Sequence, residues 1–259
     1  MSHNEVVETS GPTSDFDLRI VPDYATLSKE TADIVLATIK ANPGAAITLP
    51  TGETPRGMYE NLLQYMESGE LDFSSINFFC LDDYLGKSID DEASLTGWLE
   101  DVFLRPGNLH GDYIHFIPST ASDPEAAAAR YDQDIVDLGG FKLAVVGIGP
   151  NGHIGFNEPG SPIDARTRVV DLTAESRDQN AAYYEGDQVI PDKAISVGLG
   201  TLLEADRIVM IVSGANKAEI LKAALEGPIT ADVPGSFIRT AGSRLTVIAD
   251  QAAASELSL

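Results

Sequence analysis

Apolar runs rich in β-branched residues alternate with stretches of helical periodicity along most of the chain. Runs at residues 18–21, 45–49, 76–81, 113–117, 142–148, 168–172, 207–212 and 244–249 read as strands. Residues 24–41, 55–68, 123–138 and 215–226 carry apolar positions at helical spacing, and Ala32, Val35, Leu36 and Ile39 form one such stripe. The alternation predicts an α/β protein, an open, mostly parallel sheet with helices on both faces in a Rossmann-like three-layer arrangement. No repeat or linker-like stretch interrupts it. Residues 17–259 are therefore expected to form a single α/β domain behind a flexible polar tail, residues 1–16.

Charge and cysteine usage narrow the classes. Seventeen Lys and Arg stand against 40 Asp and Glu, a formal net charge of −23, and such a field repels a nucleic acid. The apolar runs are far shorter than the ~18 residues of a membrane-spanning helix, so neither nucleic acid nor membrane is an expected partner. A single cysteine, Cys80, allows no internal disulfide, and the first residues lack the basic and apolar regions of a signal peptide. Both point to the cytoplasm. Whether identical copies assemble is left open.

Candidate chemistry gathers at strand ends. LPTGETP, LDDYLG, GPNGHIGFNEPG and SGANK each follow directly after an apolar run. In an open parallel sheet these positions share one edge, where ligands bind, so the four segments are expected to build one site. Thr51, Gly52 and Thr54 bring a glycine and two hydroxyls to a helix N-terminus, a setting suited to phosphate. Thr54 before Pro55 also reads as an ordinary N-cap and N1 pair. Lys217 falls in the first turn of a helix, where the dipole disfavours a cation, and that misfit suggests a functional charge. His153, Asn157 and Glu158 sit in one glycine-rich stretch, where a carboxylate can orient an imidazole. Asp82 and Asp83 follow one strand; on extended backbone their side chains diverge, so one is expected to face the crevice and the two are not a dyad.

Several rival readings fail. Residues 147–152 match G-x-G-x-x-G and Asp171 lies about 20 residues on, but Gly155, Pro159, Gly160 and Pro162 follow where a helix is required. The four histidines show no metal-ligand spacing, and G-x-S-x-G is absent.

These motifs resemble the glucosamine-6-phosphate deaminase/isomerase family, which includes galactosamine-6-phosphate deaminases and is akin to 6-phosphogluconolactonases. The resemblance runs from about residue 17 to 250, and its most specific piece is the stretch from Gly149 to Ser161, GPNGHIGFNEPGS. It implies an enzyme that opens the ring of a 2-amino-sugar 6-phosphate, moves a proton between C2 and C1 and releases ammonia, with no metal or organic cofactor. Glucosamine 6-phosphate, yielding fructose 6-phosphate, is the first expectation; the galactosamine epimer, 6-phosphogluconolactone and a non-catalytic sugar-phosphate sensor follow. By motif position, His153 would be the ring-opening acid/base, Glu158 its orienting carboxylate and Asp82 the C2–C1 base. Thr51, Gly52, Thr54 and Lys217 would hold the phosphate.

Three departures stand out. Asn151 replaces an aspartate two residues before the histidine, where it orients without charge. Asn180-Ala181-Ala182-Tyr183 occupies the place of a segment that carries a phosphate-binding arginine, so Ala182 lacks that charge. Residues 236–241, SFIRTA, replace S-x-L-Q-x-H. Arg239, Arg177 and Arg168 are the candidates for the missing positive charge.

Overall fold

A computed structural model of the chain describes residues 15–173, 176–177 and 191–258. Most of the expected tail (residues 1–14) and the segment Asn180–Tyr183 lie outside the described residues.

Seven strands form one all-parallel sheet: β1 (Asp17–Val21), β2 (Ala46–Leu49), β3 (Asn77–Cys80), β5 (Ile114–His115), β6 (Phe141–Val146), β9 (Ile208–Val212) and β10 (Leu245–Asp250), in the order β1-β10-β9-β6-β2-β3-β5. Helices cover both faces, and the central strands are buried on both sides. Every residue of β2, β9 and β10 is buried, which is why these strands read as continuous apolar runs rather than alternating ones. Edge strand β1 is only partly buried.

Four long helices match the periodicity: α1 (Tyr24–Ala41), α2 (Arg56–Glu67), α4 (Pro124–Asp137) and α6 (Ala218–Glu226). The stripe on α1 buries Ala32, Val35 and Ile39 fully. Asp23 caps α1 and Asp123 caps α4, each accepting a backbone N–H three residues on. Two five-residue helices, α3 (Leu95–Leu99) and α5 (Leu199–Leu203), are too short for the pattern to announce. No helix among the described residues is long and apolar enough to cross a membrane.

A second sheet was not expected. β4 (Asp82–Tyr84), β8 (Lys193–Ser196) and β7 (Arg168–Asp171) form an antiparallel sheet in the order β4-β8-β7. The run at 168–172 is thus a strand, but of this small sheet. β4 carries two carboxylates, poor strand formers, and is held by its pairing with β8.

The topology sets the place of a site. From β2 the chain proceeds outward to β3 and β5, then returns to β6 on the other side of β2. The carboxyl ends of β2 and β6 flank this reversal, where a crevice opens.

Candidate active site

A cavity of about 280 Å3 lies in that crevice, near the lower limit for small-molecule sites. All four strand-end segments reach it. Thr51, Gly52, Thr54, Asp82, His153 and Lys217 line it, whereas Glu158 and Asn151 do not line it and instead contact one another beside His153.

The loop after β2 presents unpaired donors. Gly52 has φ 104, a conformation glycine adopts freely. Among the described residues, the backbone N–H groups of residues 51–54 find no protein acceptor. The capping expectation needs correction: α2 begins at Arg56 with Pro55 in the N-cap position, and no side chain caps it. Tyr24 does part of that work, its hydroxyl accepting from Gly57 N at 2.8 Å and donating to the Glu53 carbonyl at 3.1 Å. Thr54 is thereby spared for the cavity.

Lys217 approaches from the turn after β9. Asp250, at the end of β10, fixes that turn by accepting from Ser213 Oγ and Gly214 N. The Lys217 ammonium donates to the Ile148 carbonyl at 3.0 Å, and no carboxylate is paired with it among the described residues. Burial pushes its pKa down to about 8.

Asp82 opens β4 just beyond the end of β3, 6% exposed, with Oδ1 buried and without a partner among the described residues. Burial, reinforced by the neighbouring Asp83 charge, pushes its carboxyl up to about 8. Asp83 faces away, accepting from Ser94 Oγ at 2.7 Å, Leu95 N at 2.9 Å and Thr96 N at 3.1 Å. It braces α3, as the divergence of neighbouring strand residues requires.

His153 sits on Gly149, where a Cβ would lie 2.2 Å from the ring; only glycine leaves room for it. Its Nδ1 is 3.7 Å from Glu158 Oε2, an ion-pair separation rather than a hydrogen bond. Asn151 ties the loop to the carboxylate, donating from Nδ2 to Glu158 Oε2 at 2.8 Å and accepting the backbone N–H of His153 at 3.2 Å. Burial alone would raise the Glu158 pKa, but the polar groups of His153, Ser176 and Asn151 outweigh it and hold the carboxyl below its usual value. Asn157, fully buried, holds the loop by donating to the Ile154 and Val197 carbonyls.

Two of the arginine candidates are engaged elsewhere. Arg239 donates to the carbonyls of Leu225 and Gly227 at the end of α6, and Arg168 to Asn157, Ser161 and the Arg166 carbonyl. Arg177 does not line the cavity either. The residues that sequence reasoning missed are Arg56 and Trp98 in the cavity wall, placed there by α2 and by the short α3. The dinucleotide reading fails structurally as well: no helix follows Gly152, and Asp171 pairs with Lys193 on β7 and β8. Among the described residues, no cluster of three or more His, Cys, Asp or Glu is arranged to hold a metal.

Residues 24–247 match the model of the glucosamine-6-phosphate isomerase/6-phosphogluconolactonase family. The chain belongs to that family. A glucosamine-6-phosphate deaminase of Thermoanaerobacter sp. (strain X514) is 38% identical over 236 residues, 91% of this chain and 93% of its own. Glucosamine-6-phosphate deaminase 2 of Bacillus subtilis (strain 168) is 39% identical over 240 residues, 92% of this chain and 96% of its own. A solved monomeric glucosamine-6-phosphate deaminase superposes with a TM-score of 0.88 at 37% identity, covering 93% of this chain and 100% of that one. The family fold thus carries the strand-end loops described above.

Proposed function

We propose that this protein converts glucosamine 6-phosphate and water to fructose 6-phosphate and ammonia. The observation that carries the reading is the pairing, in one cavity, of a buried carboxyl, Asp82, whose Oδ1 has no partner among the described residues, with a half-buried ammonium, Lys217, that has no carboxylate counter-ion among them. A substrate bearing a phosphate at one end and an acidic carbon-bound proton near the other satisfies both. Relatives at 38–39% identity bear the same activity in their names.

His153, oriented by Glu158 and Asn151, moves a proton between O1 and O5 as the pyranose opens. The Asp82 carboxylate then takes the C2 proton, acidified by the adjacent carbonyl, and returns it to C1, leaving an imine at C2. Water adds to that imine and ammonia departs. The ring opening, the addition of water and the loss of ammonia each need a proton moved, as does the C2–C1 exchange, work suited to a carboxylate and an imidazole. The loop N–H groups of residues 51–54, the Thr51 and Thr54 hydroxyls and Lys217 bind the phosphate. We infer a cytoplasmic enzyme, a reading supported by the buried, unpaired Cys80.

The test is ammonia release after exhaustive EDTA treatment, with glucosamine 6-phosphate, galactosamine 6-phosphate and 6-phosphogluconolactone offered separately. Ammonia and fructose 6-phosphate in equal amounts, fastest from the first substrate, are expected. Lactone opening without ammonia from either amino sugar would overturn the proposal, and activity restored only by a divalent ion would overturn its cofactor-free form.

A further inference from the structure

Resting on that reading, we propose that Arg56 is a second phosphate-binding cation of the cavity, held ready by Glu53 and Trp98. A phosphate monoester near neutral pH carries close to two negative charges, and Lys217 supplies one positive charge whose pKa is only about 8. Among the described residues lining the cavity, Arg56 is the other cation.

Helix stability does not account for its placement. Arg56 opens α2, the end where the helix dipole disfavours a positive charge. Its ion pair with Glu53, at 2.9 Å, is more than one-third exposed on both sides, and such a pair adds little to stability. Glu53 engages Nε and Nη2. The Nη1 amino group makes no hydrogen bond among the described residues and remains available as a donor.

The guanidinium is also oriented. Its Cζ lies 5.3 Å from the centre of the Trp98 ring, within cation–π range. Trp98 in turn meets Tyr59 edge-on at 6.0 Å, and the Tyr59 hydroxyl donates to the carbonyl of Pro50 at the start of the phosphate loop. One aromatic brace therefore links the loop that offers N–H groups to the side chain that offers charge. Arginine presents its donors in a planar fork that suits phosphate oxygens, and holding that fork in place beforehand reduces the ordering lost on binding.

The decisive comparison is Arg56→Gln against Glu53→Gln. Two readings are taken: KM for glucosamine 6-phosphate, and binding of inorganic phosphate by calorimetry. If Arg56 binds phosphate, Arg56→Gln raises KM about tenfold and weakens inorganic phosphate by a similar factor. Glu53→Gln, which removes a competing carboxylate and keeps the cation, lowers both about twofold. If the pair only braces the loop, the two variants raise both constants together, which overturns the proposal, as does an Arg56→Gln change below twofold in both. Because the phosphate titration needs no turnover, a wild-type protein that released no ammonia would defeat the proposed function while still showing whether Arg56 holds an anion.

Discussion

The two walls of the cavity carry opposite charges, each in its less favourable environment. On one wall Asp82 is buried with no partner among the described residues for its Oδ1, and its pKa rises to about 8; on the other Lys217 is half-buried with no carboxylate beside it among the described residues, and its pKa falls to about 8. Asp83 shows what the same side-chain type looks like when it is structural: both of its oxygens accept from donors of the protein. Carboxylates that brace the fold have their partners inside the protein. Among the described residues the two groups that face the cavity have no counter-ions there, and a ligand with complementary ends supplies them.

The largest effect expected from breaking this contrast is on turnover. Asp82→Asn preserves shape and removes the base, so kcat falls about 10²–10⁴-fold, and solvent deuterium no longer enters the sugar. Asp83→Asn acts through structure. It loses part of a four-donor network, from Tyr84 N, Ser94 Oγ, Leu95 N and Thr96 N, at about 1–3 kcal/mol, and lowers the melting temperature. It also removes the neighbouring charge that helps raise the Asp82 pKa, so the acid limb of its kcat/KM profile moves to lower pH. Full loss of exchange in Asp83→Asn with exchange intact in Asp82→Asn would assign the base to the wrong neighbour.

A second effect concerns pH. The free enzyme's base must lose its proton, so kcat/KM rises as pH passes about 8; Lys217 must keep its own, so kcat/KM falls above about 8. The two limbs meet in a narrow maximum near pH 8. Lys217→Arg carries a charge that does not titrate there, and the ratio of its kcat/KM to wild type should climb steadily above pH 8. Taking the ratio cancels the substrate's own titration. A flat ratio would remove Lys217 from phosphate binding.

Much of this contrast was legible in the chain. The parallel sheet was readable because its inner strands are apolar at every position, and the cavity because four glycine-bearing polar segments interrupt those strands at one edge. Lys217 betrayed itself as a cation at the start of a helix, although the structure places it in the turn just before α6 rather than in the helix's first turn. The small sheet was not readable, since Asp82–Tyr84 has no strand signature and its conformation is fixed by a partner more than 100 residues later. Arg56 and Trp98 escaped for a similar reason: an arginine in an exposed helical turn and an aromatic in a five-residue helix look ordinary until tertiary packing brings them together. Thr54 misled because Thr-Pro has the right residues for a cap, and only the Tyr24 hydroxyl, 30 positions away in sequence, shows that part of the capping work is done elsewhere.

The smallest effect is on stability, and it has opposite signs on the two walls. The Asp82 pKa is raised on folding, so its contribution to stability is present below about pH 4 and is lost as pH rises through about 8. The Lys217 pKa is lowered on folding, so its contribution is present above about pH 10.5 and is lost as pH falls through about 8. Asp82→Asn should therefore raise the melting temperature most above pH 8, and Lys217→Met most below it. Each shift should be a few °C, given ~2–4 °C per kcal/mol for a chain of this size. Inorganic phosphate separates the walls further, because it stabilises wild type in part by pairing with Lys217 and stabilises Lys217→Met less, while Asp82→Asn responds as wild type does. If both variants stabilised equally at every pH, neither group would be held in an unfavourable charge state, and the opposition between the two walls would have no thermodynamic basis.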